Sequence, residues 1–305
     1  MKKIHLLPVL FIIFSSLMAL ESCQTSGKAS SVSKLLRFNF ENGKGYDYEM
    51  IINLDQQIGK TQRQTDITAY YSMLVTGDNG IEKIIKTRYE RLKMSFDISG
   101  MNIEVDTDKP LTGDFGNNDV AKAFQSINRI FGAVKGQSFT MKVNAEGKIS
   151  EVTGFEQMAN SIADSMHLDS TKRKQMLQAF LQQFNEKSVK GQFERFLFIF
   201  PNKEVRVGDS WNKTTETSGV IDARYNSEYT VTDIEGDMVT IVEKTVIDTD
   251  KPETKLKGEV KGTLIVDSRS GLVVKADQDI SATSEDKGLA IKIKGKNKLK
   301  GKEIQ

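Results

Sequence analysis

The chain has 305 residues, of which 43 are Lys or Arg and 41 are Asp or Glu, giving a formal charge of +2, and 38% are hydrophobic. Near-neutrality speaks against general nucleic-acid binding, which wants a net basic face. One cysteine and two histidines exclude an internal disulfide and zinc sites built from Cys and His.

In chain order the first feature is a leader over residues 1–22. Met1-Lys2-Lys3 is basic, and Leu6 to Leu20 is an almost unbroken apolar run. That run is shorter than the roughly 20 residues a spanning helix needs. With its basic start it describes a secretory signal. Leu20-Glu21-Ser22-Cys23 closes the run and resembles the lipobox of bacterial lipoproteins, although Glu21 stands where a small or apolar residue is usual. The resemblance implies that the Cys23 thiol takes a diacylglycerol and becomes the first residue of the mature chain. An ordinary signal cut at Ser22 would instead leave a lone thiol in an oxidising compartment. Cys23 is therefore the expected lipid-attachment residue. Residues 23–33, Cys-Gln-Thr-Ser-Gly-Lys-Ala-Ser-Ser-Val-Ser, are small and polar and read as a flexible tether. No acidic run of the kind that sends some Bacteroidota lipoproteins to the cell surface follows the cysteine. The expected location is the cell envelope, lipid-anchored at the outer membrane and facing the periplasm.

Residues 34–152 read as a first β-rich half. Tyr70-Tyr71-Ser72-Met73-Leu74-Val75 alternates like a strand and runs into the turn Gly77-Asp78-Asn79-Gly80. Val120, Ala123, Phe124, Ile127, Ile130 and Phe131 fall at helical spacing, predicting a helix near 118–132. Residues 153–200 read as a helical segment: Phe155–Met166, then Ser170–Glu186 behind an Asp169 or Ser170 cap, then a stretch holding Phe193, Phe196, Leu197, Ile199 and Phe200. These apolar faces suit packing on a sheet; the alternative is that they roof a cavity for an apolar ligand. With His5 in the leader, His167 is the only other histidine, and it sits where a helix ends, near the C-terminal dipole. No nucleophile-elbow motif accompanies it. Residues 201–305 read as a second β-rich half, entered by Val207-Gly208-Asp209-Ser210-Trp211, a turn feeding a strand with Trp211 as a core anchor. Gly43-Lys44-Gly45-Tyr46 is its counterpart in the first half. On the last strand Lys292, Lys294, Lys296, Lys298, Lys300 and Lys302 share one face. They read as protection of a terminal edge strand, with contact to anionic headgroups as the functional alternative.

Three matches in the same order suggest an internal duplication. Tyr70–Gly80 pairs with Tyr229–Asp237, Val105–Pro110 with Ile247–Pro252, and the hairpin Met141–Ile149 with Leu264–Val273. Both Asp-Thr-Asp-Lys-Pro copies invite a calcium reading, but neither has the ligand number and glycine turn of a calcium loop, and strand-ending turns explain them. No metal and no cofactor is expected; nucleotide-binding glycine motifs do not occur. The expected fold is α+β and β-rich: two related antiparallel curved sheets or half-barrels with a helical insert between them.

Leu36-Arg37-Phe38-Asn39-Phe40-Glu41-Asn42-Gly43-Lys44-Gly45-Tyr46, Phe200-Pro201-Asn202-Lys203 and Val207-Gly208-Asp209-Ser210-Trp211 together with the lipobox give a chain that resembles the β-rich lipoproteins of undefined role common in Bacteroidota. That resemblance implies a location and a fold class and carries no catalytic residue. The leading functional expectation is non-catalytic binding of an apolar or lipidic ligand by a membrane-anchored, periplasm-facing lipoprotein. The alternative is a structural or assembly lipoprotein whose partner is another envelope protein of the outer membrane. A carboxylate-based hydrolase comes third, because 40-odd acidic residues leave that chemistry open.

Overall fold

The computed structural model describes residues 32–98, 101–109, 132–166, 169–183, 185–218, 222–249, 256–286 and 289–304. The leader, Cys23, most of the tether, the helix expected near 118–132 up to Phe131, His167 and Asp250-Lys251-Pro252 lie outside the described residues. None of the described helices is long and apolar enough to cross a membrane.

The first half contributes β1 (Lys34–Leu36), β2 (Gly45–Ile58), β3 (Thr61–Asp78), β4 (Glu82–Ile98), β5 (Met101–Asp106), β6 (Ser138–Asn144) and β7 (Ile149–Thr153). Three helices follow, α1 (Phe155–Ser165), α2 (Ser170–Gln183) and α3 (Glu186–Leu197). The second half is β8 (Lys203–Val205), β9 (Ser210–Thr217), β10 (Ala223–Glu235), β11 (Met238–Asp248), β12 (Lys257–Asp267), β13 (Leu272–Asp286) and β14 (Leu289–Ile304). Period-two alternation shapes the strands: β11 buries Val239, Ile241, Glu243, Thr245 and Ile247 on one face. Asp169 starts α2 as expected, its Oδ1 accepting from the Thr171 and Lys172 amides at 3.1 and 2.9 Å.

The two-sheet expectation gives way to one antiparallel sheet of twelve strands in the order β7-β6-β4-β3-β2-β14-β13-β12-β11-β10-β9, with β5 on the far stretch of β4. The physical reason is β14. It returns across the molecule to pair along its length with both β13 and β2, from Ile291 opposite Ile58 to Ile304 opposite Gly45. The same pairing overturns the edge-strand reading of the lysines, since β14 lies in the middle of the sheet. Its lysines stand on the outer face beside acidic neighbours; Lys296 meets Asp279 at 3.2 Å, Lys300 meets Glu49 at 3.1 Å and Lys302 meets Asp47 at 3.4 Å.

The repeat survives inside the twelve-stranded sheet with a corrected register, except that the match of Val105–Pro110 with Ile247–Pro252 fails, since Val105 lies on β5 and Ile247 on β11, the counterpart of β4. The Gly43 amide donates to Val75 O and the Val75 amide to Lys44 O; the Gly208 amide donates to Val231 O and the Val231 amide to Asp209 O. A β-bulge follows each valine, and the bulged Thr76 and Thr232 hydroxyls donate across to Ile84 O and Thr240 O at 3.2 and 3.3 Å. Val75 therefore corresponds to Val231, and Tyr229 to Met73 rather than to Tyr70. Tyr46 and Trp211 occupy matching places, both buried. Trp211 anchors the core as expected, donating from Nε1 to Ile199 O at 2.7 Å and stacking on Tyr229.

The sheet is not closed, but it curls until both edges reach α3. On the β7 side the Ile149 amide, an edge donor, gives its hydrogen to the Glu194 carboxylate at 2.9 Å. On the β9 side Gly191 lies so near that a Cβ would come within 2.4 Å of Glu216 O. Lys213 of β9 also pairs with Glu146 in the β6–β7 turn. The helix thus fills the gap between the two edges, and one end of the trough is plugged by Phe38, Phe40, Tyr46 and Phe200.

Candidate ligand-binding cavity

Beneath α3 the inner face of the sheet leaves a cavity of about 520 Å³, within the range of small-molecule sites. Register lays the inner face of the sheet out in rows, and the residues from Leu264 onward in one row and from Gln278 onward in the next line the cavity. One row runs Ile241, Leu264, Ala276, Leu299, Met50, Ala69 and Leu92 across seven strands. The next runs Tyr229, Glu243, Gly262, Gln278, Asn297, Ile52, Ile67 and Met94. Farther along the strands Val260, Ile280 and Ile247 continue the wall. The roof comes from α3. Asn185 and Ser188 exchange side chain-to-amide bonds at its start, and this start sets Gln192, Phe193, Arg195 and Phe196 facing the cavity. Phe193 meets Tyr71 edge-on at 5.5 Å, and burial pushes the Tyr71 hydroxyl up to about 12.

A polar strip crosses this apolar lining on the second half only. Arg195 Nη2 donates to Glu243 Oε1 at 3.0 Å and Nη1 to Ser227 Oγ at 3.3 Å, with the guanidinium 4.4 Å from the Tyr225 ring centroid. The Glu243 side chain is 0% exposed. Burial alone would lower Arg195, but Glu243 facing it holds the guanidinium above its usual value. Thr245 also donates to Glu243 Oε1, at 2.6 Å. Gln278 Nε2 donates to Glu243 Oε2, and Asn297 Nδ2 donates to Gln278 Oε1 at 2.7 Å. Gly262 lies between Glu243 and Gln278 in the row. A Cβ there would sit 2.7 Å from Gln278 Cγ, so its absence lets the glutamine reach across β12 to the carboxylate.

Among the described residues no three His, Cys, Asp or Glu side chains are arranged to hold a metal. The first Asp-Thr-Asp-Lys copy is a structural turn: Arg91 grips Asp106 with two hydrogen bonds, at 2.9 and 2.6 Å, and Thr107 exchanges bonds with Leu92. In the second copy Asp248 ends β11 and accepts from Asn226 at 3.4 Å. No Asp or Glu is among the cavity-lining residues. Sequence reasoning missed the polar strip. Its signal was present, since Glu243, Gln278 and Asn297 fall in the inward phase of otherwise apolar or small-residue strands.

Residues 81–273 match the sequence profile of a family of unknown function, DUF6263. The chain belongs to that family. The DUF6263 match runs from the start of β4 into β13, so it includes α3, Arg195, Glu243 and Gly262 while β2, β3 and β14 lie outside it. No curated protein matches the chain. Among solved structures, one of lipid–protein interactions in lipovitellin matches at 12% identity and a TM-score of 0.48, covering 88% of this chain and 26% of its own. Pseudomonas aeruginosa OccK5 (OpdH) matches at 9% identity and a TM-score of 0.23, covering 88% of this chain and 100% of its own. OccK7 (OpdD) of the same organism gives 8%, 0.19, 87% and 100%.

Proposed function

We propose that this DUF6263 protein binds an apolar or lipidic ligand in the cavity beneath α3, without catalysis, while held at the cell envelope through a lipid on Cys23. The observation that carries the reading is the lining. Met50, Ile52, Ile67, Leu92, Met94 and Ile280 face a space that the described side chains leave unfilled. Protein interiors are ordinarily close-packed, and a void of this size forgoes dispersion contacts. An apolar occupant regains them and removes its own surface from water, at about 25 cal/mol per Å². A lipid on Cys23 would keep the trough near a bilayer, which suits a ligand drawn from it.

Native mass spectrometry of the chain carrying Cys23→Ser, so that no acyl group is covalently attached, tests the cavity. The expected result is a reproducible added mass that fragments as acyl chains; a clean unliganded mass after purification from cells argues for a protein partner instead. The anchor is tested separately by fractionation. Cys23→Ser should move the protein out of the membrane fraction with its melting curve unchanged, and persistent membrane attachment would overturn the assignment of Cys23.

A further inference from the structure

We infer that the cavity takes its lipid in uncharged form, seating an ester or amide carbonyl beside Arg195, Gln192 and Tyr225, and discriminates against a lipid that brings a free carboxylate to the same depth. This rests on the lipid-binding reading and adds the ligand's charge state.

Among the described residues that line the cavity, Arg195 is the only charged side chain. In an apolar pocket a single arginine ordinarily reads as a carboxylate receptor. Here its charge is already matched from behind by Glu243, fully buried at 3.0 Å. An incoming carboxylate would lose its hydration, find no unmatched cation, and face the Glu243 charge in a medium of low dielectric. The pocket therefore has no electrostatic reason to hold an anion.

Donors, by contrast, are in surplus. A guanidinium carries five N–H groups; Arg195 gives one to Ser227, one to Glu243 and one to the Tyr229 hydroxyl, which leaves two. Gln192 lies one turn earlier on the same helix and lines the same cavity. Tyr225, whose ring lies under the guanidinium, lines the same wall. The Gln278 amide is committed at both ends, to Glu243 and to Asn297, and the acceptor-only carboxylate fixes which way round it lies. Around Arg195 the wall offers a ligand charge-balanced donation, the complement of an ester or amide carbonyl flanked by hydrocarbon. Farther along the strip Asn297 Oδ1 is an acceptor with no partner among the described residues and would take a donor such as a ligand hydroxyl or amide N–H. The polar place lies on the second half of the floor, and the isoleucines and methionines of the first half lie opposite, where a chain can rest.

Calorimetric titration of the full chain with a matched set tests this: 1-monolauroylglycerol, lauramide and laurate, at pH 8 where laurate is ionised. The monoester and amide should bind at least about tenfold more tightly than laurate. Laurate affinity should rise as pH falls from 8 to 5, while that of the monoester stays flat. Glu243→Gln, which leaves the Arg195 charge unmatched, should narrow or reverse the preference. Should that variant fail to fold, the pH series on the unmodified protein decides. Laurate binding at pH 8 as tightly as the monoester overturns the charge-state inference and leaves lipid binding standing. No binding by any of the three overturns lipid binding itself, and this inference with it.

Discussion

The two halves of the sheet share a backbone plan and differ in what they put at one matched place. Through the bulge register, Thr87 of β4 corresponds to Glu243 of β11, since they lie opposite Met73 and Tyr229. Phe139 of β6, opposite Thr87, corresponds to Gly262 of β12, opposite Glu243. In the first half Phe139 fills the space, stacking on Phe155 at 5.1 Å and meeting Phe193 at 5.3 Å. In the second half the phenyl ring is replaced by a hydrogen atom, and the volume is left to the Gln278 side chain and the cavity. At this matched place the first half is filled by an aromatic ring and the second is open and polar, although both halves line the cavity. A repeated scaffold thus produces one site, because the difference lies in two side chains per half and not in the fold.

The largest effect expected from breaking this comparison is at the matched anchors. Trp211→Ala should cost about 3 to 5 kcal/mol, and Tyr46→Ala a comparable amount, in urea denaturation; a loss at only one of them would show that the halves do not share their support. Next comes the strip. Glu243→Ala leaves the Arg195 charge buried and unmatched and should cost about 3 kcal/mol, whereas joint replacement of Arg195 and Glu243 by Met should recover most of it. The mirror substitution, Thr87→Val, has the opposite sign. The Thr87 hydroxyl is buried with no hydrogen-bond partner, so its removal should be neutral or stabilise by about 1 kcal/mol.

A pH-dependent contrast follows. Asp106, gripped by Arg91, is held down at about 2. Its folded value lies below its unfolded one, so its contribution is fully present above about pH 4 and fades as pH falls through 2. Asp106→Asn should therefore cost about 2 kcal/mol at neutral pH and much less at pH 2. Glu194 runs the other way. Burial raises it, although the Ile149 amide pulls it down, so its ionisation as pH rises above the ordinary carboxylate value works against the fold. The smallest effects belong to the bulges: Thr76→Val and Thr232→Val should each cost about 0.5 to 1 kcal/mol, and equal values would confirm equivalent roles.

Much of this was legible in the chain. The strand regions 35–106 and 204–302, the helical segment 153–200, the Asp169 or Ser170 cap, the buried Trp211 and its Gly43–Tyr46 counterpart all follow from alternation, helical spacing and turn chemistry. The site was half legible. Phe193 and Phe196 announced an apolar face over a sheet, but Glu243 was missed although it falls in an apolar phase, and nothing local joined it to Arg195, Gln278 and Asn297. The lysine row was legible as a face and misplaced as an edge.

Amino-acid order alone determined where the chain is extended, where it is helical and which side of each element is apolar, because those depend on contacts within a few residues. It also pointed to the repeat through the matches of Tyr70–Gly80 with Tyr229–Asp237 and of Met141–Ile149 with Leu264–Val273, while the Gly–Val–Thr register came from the structure. Tertiary structure alone decided that β14 joins the halves into one sheet, that both edges curl onto α3, and that Gly262 opens the floor beneath Gln278. Each of these depends on pairing between segments far apart in the chain. Such pairing is settled by competition among many alternating strands for neighbours, and alternation, being common to them all, cannot rank the winners.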